Sequence, residues 1–91
     1  MATSEEILNV SLLLLQAKFP RIGKALEFLW GQKEFPPYVN KLLNDGRNDR
    51  QGFPVDVMTA IMSLQILHDE MFPQFQLDDP DDWKSSQFGI N

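Results

Sequence analysis

The chain has 91 residues, of which 43% are hydrophobic, a net charge of −5 at pH 7 and no cysteine. This length is typical of a single domain with one hydrophobic core. Without cysteine, disulfide bridges, thiolate metal sites and cysteine nucleophiles are excluded, and we expect a cytoplasmic protein because small secreted domains usually depend on disulfides. The longest apolar run, Leu12 to Leu15, is too short to cross a bilayer.

The charges are unevenly distributed along the chain. Residues 18–50 carry seven basic and four acidic side chains, whereas residues 56–91 carry one basic side chain against seven acidic ones. The acidic C-terminal part therefore attracts the middle of its own chain, or two chains pair with opposite charges in contact. An ordinary mixed surface is the alternative. Because a net negative surface repels phosphate backbones, we expect no nucleic acid as a partner.

The first predicted helix runs from about Ser4 to Lys18. Thr3 and Glu6 have the spacing of a capping box, which opens a helix. At about 100° per residue, apolar side chains cover most of its circumference, and Leu13 and Leu14 lie away from its main apolar stripe. Such a helix must be covered on most sides. Either it is the central helix of the fold, or a second copy of the chain covers Leu13 and Leu14.

The second and third predicted helices are short. Pro20 suits the first turn of the second helix, which Gly31 ends in a left-handed turn. Phe28 falls among the polar positions of this helix, which predicts either a contact for a partner or a side chain covered by a loop or the C-terminal tail. A third helix is predicted from about Phe35 to Leu43, and the polar residues 44–52 predict a solvent-facing loop.

The fourth predicted helix begins at Phe53 and Pro54 and ends before Pro73. Beside a broad core stripe it carries a second apolar ridge that includes two methionines, Met58 and Met62. Methionine adapts to irregular partners, so the ridge is typical of a protein interface, although methionines also fill gaps in a core. With the second face of the first helix, the predicted interface residues are Leu13, Leu14, Met58, Met62 and Ile66.

These elements predict an all-α protein with two parts. Residues 1–73 form a compact four-helix bundle-like domain, and residues 74–91 form an acidic, partly ordered C-terminal tail. Four aspartates around Pro80 cannot pack in a core. The tail also has spaced hydrophobes that we expect to anchor parts of it on the helical body: Phe75, Leu77, Trp83 and Phe88.

Two arginines in the predicted loop precede the fourth helix. Arg47 and Arg50 are placed to bind a small anion, such as a phosphate or a carboxylate, together with the positive end of that helix. Asp45 and Asp49 give the alternative, since they can pair with both arginines and hold the loop in shape. The same loop fails as a calcium site, because Arg47 and Arg50 occupy positions that require a ligand and a glycine.

His68 is the only histidine of the chain. No nucleophile or further metal ligand shares its face of the predicted helix, so the sequence predicts no catalytic residue, no metal site and no cofactor. We expect His68 in the core, hydrogen-bonded to the backbone or to a tyrosine. Trp30 and Tyr38, together with Phe28 and Phe35, raise the alternative of an exposed aromatic face for a ligand such as a nucleic acid. Helical spacing instead places Phe35 and Tyr38 in the core.

Parts of residues 19–69 resemble a group of short bacterial proteins of uncharacterised function. The segments concerned are residues 28–31, Tyr38 with Leu42 and Leu43, residues 45–54 and residues 64–68. The resemblance implies a bacterial cytoplasmic protein and draws attention to the arginine loop. It implies no activity.

Two hypotheses about function follow from the residues. The first is a small, non-enzymatic interaction protein that forms a homodimer through the predicted interface residues, or that binds another protein. The second is a small-molecule or anion-binding protein, or an enzyme subunit, that uses Arg47 and Arg50. No membrane partner is expected, because no segment can span a bilayer.

Overall fold

Four α-helices and one short 3₁₀ turn make up the described part of the chain. The computed structural model describes residues 3–48 and 52–76, and for residues 46–48 it describes the backbone alone. The helices are α1 (Ser4–Lys18), α2 (Pro20–Leu29), α3 (Phe35–Asn48) and α4 (Val55–Met71), and the 3₁₀ turn is Pro73–Phe75. Within these ranges there is no β-strand, so the predicted all-α class is confirmed.

Helix α1 begins and ends where the sequence predicts. The backbone N–H of Glu6 donates to Thr3 Oγ1 at 3.1 Å, so Thr3 caps the helix. The Thr3 hydroxyl in turn lies 3.3 Å from Glu6 Oε1 and donates to it. The capping box is therefore only half of the expected reciprocal pair, because the Glu6 carboxylate accepts from the side chain of Thr3 rather than from its backbone.

Only Phe19 separates α1 from α2, and the two helices pack closely after this sharp bend. Gly23 allows the approach: a Cβ atom there would lie 2.6 Å from the backbone nitrogen of Gln16. Gln16 Nε2 also donates to Glu27 Oε2 at 2.7 Å across the same crossing. Pro20 occupies the first turn of α2, as predicted.

Gly31 ends α2 in the predicted left-handed conformation. Its φ angle is +81°, which only glycine adopts without strain. The backbone N–H of Gly31 donates to Nε2 of His68 on α4 at 3.1 Å. This bond joins the turn between α2 and α3 to the last turns of α4.

Helix α3 is longer than the sequence predicts. It continues through Asn44, Asp45 and Gly46 to Asn48, so the predicted loop over residues 44–52 begins too early. These residues have low helix propensity, but that preference is weak beside the anchoring of the preceding turns, whose Leu42 and Leu43 are buried. The last turn of α3 therefore continues a buried turn, against the low helix propensity of its own residues.

Helix α4 lies at the centre of the contacts, since α1, α3 and the 3₁₀ turn all pack against it. Helix α1 packs on α4 and α2, whereas α2 and α3 touch only slightly. Nζ of Lys18 at the end of α1 lies 3.3 Å from Oδ2 of Asp56 at the start of α4, so these two helices run antiparallel. The buried apolar side chains are Leu15, Leu26, Phe35, Val39, Leu42, Leu43, Val57, Ala60, Ile61, Leu64 and Leu67.

The chain stays attached to the helical body beyond the predicted boundary at residue 73. Phe75 is half-buried, and its ring centroid lies 6.5 Å from that of His68, which confirms this one anchor of the predicted tail. The other predicted anchors, Leu77, Trp83 and Phe88, lie outside the described residues, as do the tail aspartates. Over the described ranges, no helix has both the length and the apolar character needed to cross a membrane.

Candidate interaction surface

Helices α1 and α4 each turn an apolar ridge away from the core. On α1, Val10 and Leu13 are 64% and 67% exposed. On α4, Met62 and Ile66 are 46% and 57% exposed, and Val55 at its first turn is also exposed. We call these five residues the outer face. Aliphatic side chains left open on neighbouring helices are a feature that partner surfaces share.

The exposed positions follow the same spacing on both helices. Four residues of α1 at i, i+4, i+7 and i+11 are exposed, namely Glu6, Val10, Leu13 and Ala17. The same spacing on α4 gives four further exposed residues, namely Val55, Thr59, Met62 and Ile66. Steps of four, three and four residues place each set along one narrow strip of its helix, a form that suits packing against a helix of a second chain.

The two ridges belong to one surface because α1 and α4 are antiparallel neighbours. At about 100° per residue, Leu14 and Lys18 lie on the side of α1 that faces α4, next to the ridge of Val10. Leu14 is half-buried there and packs against the core. Ser11 and Ala60 are small and buried, and short side chains of this kind let helix backbones approach. The outer face therefore continues from one helix to the other.

The structure separates the five predicted interface residues into two groups. Leu13, Met62 and Ile66 are exposed and lie on the outer face. Leu14 and Met58 are instead half-buried and pack against the protein's own core. Leu14 and Met58 therefore offer less surface to a partner than the other three, and the interface made of all five residues stays a prediction. Within the described chain, Val10 and Leu13 stay open to solvent, so α1 is not buried on all sides within the monomer.

The two ends of the α1/α4 pair carry opposite charges. At one end, the first turn of α1 and the last turn of α4 hold four acidic residues, which we call the acidic end: Glu5, Glu6, Asp69 and Glu70. At the other end, Gly23 holds the start of α2 against α1. The basic end there comprises Lys18, Arg21 and Lys24, which outnumber the two acidic residues beside them. Of these two, Asp56 is paired to Lys18 and Glu27 is hydrogen-bonded to Gln16. Partial burial raises the pKa of Asp69 above its usual value.

Phe28 is a separate exposed residue on α2. Its side chain is 75% exposed, so no loop of the described chain covers it. Lys24, one turn earlier on the same helix, is also exposed. Cover by the C-terminal tail, the other expectation for Phe28, concerns residues outside the described ranges. Phe28 is not part of the outer face, because it lies on a different helix.

The only histidine is enclosed by aromatic rings. His68 is fully buried, its ring stacks on Phe35 at a centroid distance of 4.3 Å, and Trp30 meets it edge-on at 5.2 Å. Burial lowers the pKa of His68 to about 4, so the ring is neutral at pH 7. Nε2 accepts from Gly31, which leaves the proton on Nδ1, a buried atom with no hydrogen-bond partner.

This arrangement confirms the predicted core histidine bonded to the backbone. The imidazole holds a turn in place and offers no nitrogen to a substrate. Phe35 is buried, and Trp30 and Tyr38 are partly buried against the core, so the core interpretation of these aromatic residues is also confirmed. Burial raises the pKa of the Tyr38 hydroxyl.

The predicted anion site is only partly within the described chain. Arg47 belongs to the last turn of α3 by its backbone, and its side chain is not described. Arg50 and Asp49 lie outside the described residues. Asp45 is exposed on α3 rather than in a loop. Through the ranges that the structure covers, no three acidic or histidine side chains gather as a set of metal ligands.

Comparisons with protein-family models, curated proteins and solved structures find no match to this chain. Function is therefore inferred from the surface of the chain itself. Helical periodicity places Val10 beside Leu13 on α1 and Val55 beside Met62 on α4, although neither valine is among the predicted interface residues.

Proposed function

We propose that this chain is a small interaction protein that acts by binding and forms a homodimer through its outer face. The observation that supports the proposal is the exposure of Val10, Leu13, Met62 and Ile66 on two adjacent antiparallel helices. Matching seams on both helices favour a second copy as the partner, because each copy supplies the pattern that the other needs.

The size of the outer face is compatible with a dimer interface. Fully burying an aliphatic side chain is worth about 1.5–3 kcal/mol at about 25 cal/mol per Å², which corresponds to roughly 60–120 Å² for each residue. Because these side chains are 46–83% exposed in the monomer, the five together offer on the order of 200–400 Å². A standard interface buries about 800 Å² on each partner, so exposed neighbours such as Thr59 and Ala17 must contribute the remainder.

A binding role agrees with the chemistry of the described residues. His68 is sealed in the core and neutral, and it therefore lacks access to a substrate. The proposed compartment is the cytoplasm, because a chain of 91 residues without cysteine suits a reducing environment. The proposal also includes a bacterial origin, which the resemblance to short bacterial proteins implies.

Sedimentation velocity of paired variants tests the proposed function. Leu13→Glu with Ile66→Glu places two charges on the outer face, and we expect this double variant to sediment as a monomer while the wild-type chain sediments as a dimer. Because both side chains are exposed, the far-UV circular dichroism should be unchanged.

The matched control is Phe28→Gln, which makes an equally exposed hydrophobic residue polar away from the outer face and leaves the charge of the basic end unchanged. This variant should remain a dimer. Equal sedimentation of wild type and the double variant would refute the proposal. Loss of the dimer in Phe28→Gln alone would place the interface on α2 instead.

A further inference from the structure

The outer face can pack against the outer face of a second copy in two orientations. The inference about which of them forms rests on the proposed function, the homodimer. A two-fold axis parallel to the helices places α1 over α4 of the partner and brings like ends of the α1/α4 pair together. A two-fold axis perpendicular to the helices places α1 over the partner's α1 and α4 over its α4, both antiparallel. The apolar residues suit either arrangement, so hydrophobic burial does not decide between them.

The charges at the two ends of the α1/α4 pair distinguish between these two arrangements. Helix α1 spans about 21 Å from Ser4 to Lys18 at roughly 1.5 Å per residue. The acidic and basic ends are thus further apart than the screening length of about 8 Å at physiological salt, and each end acts as a separate charge. An axis parallel to the helices superposes the acidic ends, which repel. An axis perpendicular to them places each acidic end over the basic end of the other copy.

We infer that the two copies pack with α1 antiparallel to α1 and α4 antiparallel to α4, so that the acidic end of each copy faces the basic end of its partner. Charge complementarity fixes the orientation, and the apolar seam supplies the contact. In this arrangement Glu6, at one end of the α1 seam, lies opposite Ala17 of the partner subunit at its other end. Near the centre, Val10 lies opposite Leu13 of the partner subunit.

Disulfide cross-linking distinguishes the two arrangements cleanly, because the chain has no cysteine of its own. Chains with Glu6→Cys are mixed with chains that carry Ala17→Cys and an affinity tag, and the mixture is oxidised. Because the tag changes the mass, the mixed product separates from the two self-linked products on a gel. We expect the mixed product to predominate.

The control mixture combines Thr59→Cys with tagged Ala17→Cys. An axis parallel to the helices places α4 of one copy over α1 of the other, so this pair would cross-link only in that arrangement. A predominant product from the control, or a dimer in which the Glu6 and Ala17 variants do not cross-link, would overturn the antiparallel orientation and leave the dimer itself intact. A wild-type chain that sediments as a monomer would instead overturn the proposed function.

The salt dependence of dimer formation by the wild-type chain tests the orientation independently. Because opposite charges meet in the antiparallel arrangement, the dimer should weaken as ionic strength increases from low to physiological values. A dimer that tightens with salt would show that like charges face one another, and would contradict the inference.

Discussion

The ring of His68 accepts a hydrogen bond from the backbone N–H of Gly31, with a distance of 3.1 Å between the two nitrogens. The two residues are 37 positions apart in the chain, so the bond closes the fold between the α2–α3 turn and α4. Only a neutral imidazole can accept it, since both nitrogens of a protonated ring are donors. The contact therefore links the stability of the fold to the protonation state of one side chain.

Acid should destabilise the protein through His68. Its pKa is 6.5 in an unfolded chain and about 4 in the fold, so the unfolded state binds the proton more readily between these values. The stability gained by keeping the ring neutral is complete above pH 6.5 and is lost as the pH falls from 6.5 to 4. The loss amounts to roughly 3 kcal/mol. Urea unfolding at several pH values across this window measures it.

The matched variant for this prediction is His68→Gln, whose side-chain oxygen can still accept from Gly31 but does not titrate. Its free energy of unfolding should be lower at pH 7, because the ring contacts are lost, and should change less than that of the wild type between pH 6.5 and 4. Carboxylates that titrate in this range affect both proteins alike. Parallel pH profiles would show that another group causes the acid sensitivity.

Gly31→Ala should destabilise the fold for two reasons. The φ angle of +81° costs a residue with a Cβ atom about 1–2 kcal/mol. The added Cβ atom would also lie 3.3 Å from the ring of Phe72, which would have to move. For a domain of this size, about 1 kcal/mol lowers the melting temperature by roughly 4–8 °C. A melting temperature equal to that of the wild type would show that the turn relaxes freely.

Gly23→Ala tests the close packing of α1 on α2. In an isolated helix, alanine is more favourable than glycine by about 1 kcal/mol. Here the new Cβ atom would come within 2.6 Å of the Gln16 backbone, and overpacking of this kind costs roughly 1–3 kcal/mol. We expect net destabilisation in chemical unfolding, whereas Lys41→Ala at an exposed position of α3 should be nearly neutral. A stabilised Gly23→Ala variant would mean that the helices separate at little cost.

The two methionines of the predicted ridge should behave differently. Met58 packs against the core, so Met58→Ala should lower the free energy of unfolding by about 1–3 kcal/mol, below the full cost of a completely buried methionine. Met62 is 46% exposed, so Met62→Ala should leave the stability of the monomer almost unchanged and weaken the dimer. Denaturant unfolding at low protein concentration and sedimentation at higher concentration separate the two effects. Equal loss of stability in both variants would contradict the assignment of Met58 to the core and of Met62 to the outer face.

Features set by local chemistry were predictable from the sequence. The start of α1 follows from the Thr3 cap, and the limits of α2 follow from Pro20 and the left-handed Gly31. The core position of His68 follows from its place in the broad apolar stripe of α4. Each of these depends on residues close together in the chain.

Features that depend on distant contacts were not predictable. The extension of α3 through Gly46 runs against the helix preference of its own residues. Helical periodicity finds the apolar ridges, but it does not show that Leu14 and Met58 face neighbouring helices while Leu13 and Met62 face outward. The roles of Gly23 and of the bond between Gly31 and His68 require partners from other helices, and no local pattern marks them.

The mass of the wild-type protein in solution tests the central claim most directly. Sedimentation equilibrium at micromolar concentration should give twice the chain mass of 10.5 kDa, because burial of the outer face in a second copy removes Val10, Leu13, Met62 and Ile66 from water. A mass of 10.5 kDa across that concentration range would contradict the account, since the apolar outer face would then remain in water.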